Sequence, residues 1–241
     1  MKTNIRKFRK AFWMDSKEYL RNKTNIILLV LIPFLFITGF DSAMRRLPEQ
    51  FVAIFVRNLG RVVSAQWSAA ILTGILGLSM ILSSKDADRR LILAGYRSSE
   101  VVFSRIFATI FIGLLATSIS FATLFLYFEP RNLPITFSAL YVSAMIYGSV
   151  GITVGSLIGQ EFEGSFAVIF IFMFDAFLGT SSVAGGEAWL SWLPLHYPTR
   201  VLQDAALFGT WNGGDMMLSI AYLGVSWIAA AMVFYKATKI H

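Results

Sequence analysis

Residues 105–128 read RIFATIFIGLLATSISFATLFLYF, a run with no charge after Arg105. A helix rises 1.5 Å per residue, so these 24 positions cover about 36 Å, more than a hydrocarbon core of roughly 30 Å. Five other stretches share this character: 24–40, 64–83, 137–159, 166–183 and 217–236. The first contains Pro33, which a membrane helix tolerates when its neighbours re-satisfy the freed backbone. The pattern predicts an all-α integral membrane protein: a six-transmembrane-helix bundle forming one transmembrane domain over 1–241.

The rest of the composition fits that class. Hydrophobic residues make up 56% of the chain and charged residues 15%, where soluble domains carry about 25% charged residues. The 22 Phe and 6 Trp suit a surface solvated by lipid. A net charge of +7 would suggest nucleic acid in a soluble chain. Here the basic residues lie between the spans, where anionic headgroups attract them, so nucleic acid is not an expected partner. The absence of cysteine excludes disulfides and thiolate metal sites.

Basic residues also set the orientation. Of the 21 Lys and Arg, fifteen fall in 1–25, 84–105 and the C-terminal tail. The opposite side holds Arg45, Arg46, Arg57, Arg61, Arg131 and Arg200. Both termini are therefore expected in the cytoplasm.

Segments outside the spans carry patterns of their own. Near the N-terminus, Ile5, Phe8, Phe12, Trp13, Tyr19 and Leu20 recur at helical spacing, with Arg6, Arg9, Lys10, Lys17 and Arg21 largely elsewhere on the wheel. Such a helix lies in the membrane interface, held by aromatic area and anionic lipid. The plainer alternative is a basic tail that only sets topology. Between spans two and three, SSKDADRRLILAGYRSSE offers Ser83 or Ser84 as a cap, with Asp86 and Asp88 in a first turn where the macrodipole favours anions. Arg89 and Arg90 follow, then the apolar Leu91, Ile92 and Leu93, and Gly95 as a stop. A short capped helix over Lys85–Ala94 either docks a partner or rests on its own bundle. Before the last span, Trp189, Trp192, Tyr197 and Trp211 mark the headgroup level, and 199–208 reads as a short helix stopped by Gly209. That segment lies at the outer boundary or dips in as a re-entrant hairpin. Residues 51–63 read as a small outer helix or an extension of span two.

Two features lie inside the spans. Asp175 is the one acid expected firmly within one, facing a translocation path or bonding across a helix interface. Gly151, Gly155 and Gly159 repeat every fourth residue on one face, which lets another helix approach closely, in the same bundle or in another subunit. There is no G-x-x-x-x-G-K-[ST] loop to cradle phosphates and no G-x-S-x-G elbow, so neither ATP hydrolysis by that route nor acyl transfer is expected. His196 and His241 fall on opposite sides, so no metal site is expected.

Taken in order, these parts resemble the membrane subunit of type-2 ABC transporters, the permease family of many bacterial drug, lipid, polysaccharide and peptide exporters. The resemblance rests on the element order, on KDADRRLILAGYRSSEVVFSR before span three and on WLPLHYPTRVLQDAALFG before span six. It implies a multi-pass protein of the bacterial inner membrane, paired with a second permease subunit and an ABC ATPase subunit. The cofactors ATP and Mg would be bound by that partner and none by this chain. The helix at 85–94 would be the cytoplasmic coupling helix, with Asp86, Arg89, Arg90 and Leu93 contacting the ATPase, and the N-terminal helix would be the connecting helix. The short loops fit a lipophilic or amphipathic cargo such as a drug, antimicrobial peptide or lipid. The competing expectations are an ion-coupled carrier or channel working without an ATPase, and a non-transporting scaffold.

Overall fold

The computed structural model describes residues 23–46, 54–84, 98–179 and 188–239, together with Trp13, Lys17 and Arg21. Seven α-helices and no strand occur among them: α1 Lys23–Arg45, α2 Ile54–Ser83, α3 Ser98–Tyr127, α4 Leu133–Leu157, α5 Glu161–Gly179, α6 His196–Gln203 and α7 Gly213–Lys239. A single 3-10 turn, Ala188–Trp192, precedes α6, and a π turn, Asp204–Phe208, extends it. Five helices are long and apolar enough to cross a membrane, namely α1, α2, α3, α4 and α7. The remaining long helix, α5, has 19 residues and carries Glu161, Glu163 and Asp175.

Several helices outrun the apolar stretches that announced them. The first continues five residues past 40 to Arg45, and the second begins at Ile54 rather than 64. The third starts at Ser98 rather than 105. Hydropathy marks only the part of a helix that lipid can surround, whereas backbone hydrogen bonding continues into polar flanks. Residues 54–63 thus belong to α2. The fifth helix starts at Glu161 rather than 166, because Glu161 and Glu163 complement the macrodipole in its first turn.

Polar side chains do not interrupt these helices, because most hydroxyls bond to a carbonyl one turn back. Thr73 reaches the Ala69 carbonyl at 2.8 Å, Thr109 that of Arg105 at 2.9 Å and Ser143 that of Ala139 at 2.9 Å. Helix α4 opens on Asn132, whose side chain accepts from the Ile135 amide, with Pro134 in the first turn where no donor is needed.

Helices α2 and α4 form the centre. In each, 72% of the apolar stretch is buried, against 22% in α1 and 17% in α7. Their crossing is made by glycines. A Cβ added at Gly151 would lie 1.9 Å from the Gly74 carbonyl oxygen, and one at Gly77 would lie 2.7 Å from the Gly148 carbonyl oxygen. Backbone meets backbone there, so dispersion and packing, which drive helix association in lipid, act at the shortest range. Gly155 joins this contact against Leu78 and Ile81. Gly159 does not: α4 ends at Leu157, Ile158 turns extended, and Gly159 is exposed. The four-residue glycine repeat thus outlasts the helix that carries it. Apolar residues stay exposed along the periphery, among them Ile27, Val30, Leu35, Phe166, Phe170 and Phe174.

Candidate functional site: polar ties in the bundle interior

Asp175 lies on the buried side of α5, 1% exposed. Its Oδ2 accepts the Tyr147 hydroxyl of α4 at 2.5 Å. Both carboxylate oxygens also accept the Leu195 amide, at 3.2 and 3.1 Å. Leu195 immediately precedes α6, so one carboxylate joins α4, α5 and the segment before the last helix. Both partners, a hydroxyl and a backbone amide, are neutral donors. Phe172 packs edge-on against both Tyr147 and Trp67, walling the site with rings.

One layer away, Gln66 of α2 is fully buried and donates to the Ser143 hydroxyl at 2.8 Å. Its oxygen accepts the Thr199 hydroxyl of α6 at 3.0 Å. Two independent polar ties therefore hold α6 against the bundle. Buried polar groups are costly unless bonded, and these are bonded to one another.

Their depth follows from residue counts. Tyr147 lies 14 residues from Leu133 and ten from Leu157, about 21 Å and 15 Å along α4. Leu195 therefore meets the bundle near its mid-depth, not at its rim. From there α6 climbs to the π turn, whose freed carbonyls of Ala206 and Ala205 accept the Arg131 and Asn132 amides at 3.0 and 3.1 Å. Gly209, at φ +76, then reverses the chain towards α7 in a conformation that favours glycine.

A second cluster sits where α1 ends and α2 begins. Asp41, 3% exposed, accepts Arg61 Nε at 2.7 Å and Arg45 Nε at 2.8 Å, and Arg61 also donates to Asn58 at 3.0 Å. The Phe40 ring fills the space a side chain at Gly60 would take, which brings α1 close enough for the pair. Placing the end of span one at 40 hid this acid; its signal was the DSAMRR run directly after Phe40. Gln66 was overlooked as a single amide in an apolar run.

The other residues singled out in the sequence divide as follows. Asp86, Arg89, Arg90 and Leu93 lie outside the described residues, as do Phe8, Phe12 and Tyr19. Trp13 is helical and 58% exposed. Gly151 and Gly155 pack on α2 within the bundle, and Asp175 bonds across a helix interface. Compared with models of known protein families the chain matches none, and no curated protein matches it.

Proposed function

We propose that this chain is the membrane subunit of a type-2 ABC exporter, with α5 as a further crossing that makes six and with both termini in the cytoplasm. The observation that carries the reading is the segment 188–208. It reaches mid-depth between α2, α4 and α5 and returns directly before the last helix, as a re-entrant element ahead of a sixth span would. The sequence resemblance supplies the rest: a coupling helix over 85–94, an ATPase partner that binds ATP and Mg, and a second permease subunit. Closure of the ATPase pair would press the coupling helices together and reorient the spans, moving a lipophilic or amphipathic cargo.

The test is direct. Arg89, Arg90 and Leu93 are replaced with Ala, and association and ATP turnover are measured with the ATPase that co-purifies from the native membrane. Loss of both is expected, and unchanged association and turnover overturn the reading. An ion-coupled carrier built on Asp175 would instead transport without an ATPase and lose ion coupling in Asp175→Asn. The engagement of that carboxylate by two donors favours a structural tie over an ion-coupling role.

A further inference from the structure

Four of the six arginines on the side that membrane topology depletes of basic residues fall between 45 and 61: Arg45, Arg46, Arg57 and Arg61. Within 41–61 only Asp41 and Glu49 oppose them, leaving a net charge of +2. Such a concentration on the depleted side calls for a counter-charge.

The arginines are not equivalent. Arg61 is consumed, with Nε and Nη2 on Asp41 and Nη1 on Asn58. Arg45 touches Asp41 through Nε, and its side chain is 61% exposed. Asp41 is its one partner among the described residues, so the two Nη groups that grip a phosphate side by side remain available. The same carboxylate fixes the Arg45 side chain beforehand, which lowers the ordering cost of binding. Arg57 stands one turn beyond Arg61 on α2, as Arg45 stands one turn beyond Asp41 on α1. Since the two helices run in opposite directions, Arg45 and Arg57 leave their backbones at about the same level, one turn outward of Asp41 and Arg61. The Arg57 Nε is buried and has no hydrogen-bond partner among the described residues. Beside this level the rings of Phe55 and Phe208, both about half exposed, lie 5.9 Å apart.

We propose that the outer end of α1 and α2 binds the phosphate of an anionic lipid headgroup. Arg45 and Arg57 grip the phosphate, Asp41 and Arg61 position Arg45, and Phe55 and Phe208 stand beside the headgroup rather than along the acyl chains. The inference rests on the proposed orientation, with this end of the chain on the outer side of the membrane, and is otherwise independent of the export reading.

The experiment uses the full chain, with whatever subunit co-purifies, in phosphatidylcholine vesicles containing trace spin-labelled phosphatidylglycerol or phosphatidylcholine. Wild type should prefer the anionic lipid. Each of Arg45→Gln and Arg57→Gln should cut that preference roughly fivefold, given about 1 kcal/mol per basic residue near a charged surface. Arg131→Gln, an exposed arginine at the same end, should leave it nearly unchanged. No preference in wild type, or equal losses in all three variants, overturns the site. Excess inorganic phosphate at constant ionic strength distinguishes the source: displacement of the labelled lipid by phosphate would assign the site to the free ion and refute the lipid. Should the glutamine variants not fold, Arg45→Lys and Arg57→Lys keep the charge but not the fork, and an undiminished preference in them refutes the bidentate grip.

Discussion

Replacing Asp175 with Ala would strand two buried donors, the Tyr147 hydroxyl and the Leu195 amide. An unsatisfied buried donor costs about 1–3 kcal/mol, and relief of the carboxylate's own desolvation offsets part of the pair, so the net loss should be about 2–4 kcal/mol. Tyr147→Phe removes one buried hydrogen bond and should cost about 1–3 kcal/mol. The informative quantity is their coupling. Hydrogen bonds between membrane helices average about 0.6 kcal/mol in double-mutant cycles and reach about 1.7. This pair is 2.5 Å apart, and its residues are 0% and 1% exposed, so the coupling should fall near the top of that range. Equilibrium unfolding in mixed micelles of wild type, both single variants and the double variant measures it. A coupling below about 0.3 kcal/mol would show that the contact does not tie α4 to α5. The Leu195 arm has its own readout, because the chain lacks cysteine and a single introduced thiol is unambiguous. Leu195→Cys should react slowly with maleimide, since the position is fully buried, and several-fold faster when combined with Asp175→Ala.

Other perturbations separate the remaining contacts. Gly151→Ala should destabilise strongly, because its Cβ meets the Gly74 backbone oxygen and no rotamer relieves that, whereas Gly159→Ala should unfold with wild type in the same micelles. Arg61→Ala leaves Asp41 buried beside only Arg45 and should cost about 3 kcal/mol, against less than about 1 for Arg45→Ala at the exposed end; equal losses in unfolding would contradict the assignment of Arg61 as the buried partner. Thr199→Val keeps shape but leaves the Gln66 oxygen without its donor, so a loss of about 1–3 kcal/mol is expected, and a neutral result would place α6 elsewhere.

The class of this protein was legible residue by residue, because a membrane imposes a one-dimensional requirement: about 20 apolar positions in succession. Six such runs could be counted without knowing how they pack. The stop of the short helix before the last one at Gly209 was equally local, resting on one backbone conformation. Helix ends were less legible, since hydropathy senses lipid and not hydrogen bonding, and this concealed Asp41 beyond Phe40.

Pairing is where the sequence ran out. The glycines of α4 announced a close approach, but nothing in their spacing named Gly74 and Gly77 as the backbone they meet. Asp175 stood out as an expensive group in an apolar run, yet its partners lie 28 and 20 residues away along the chain. Gln66 reaches Thr199 across 133 residues. An isolated polar residue in a span states that a partner must exist, because leaving it unpaired in hydrocarbon costs several kcal/mol. Which partner it finds depends on how the helices fold back on one another. The sequence alone therefore determined that the chain is helical and suited to a membrane; only the tertiary structure decided that the segment before the last helix is drawn to mid-depth and tied there by Asp175 and Gln66.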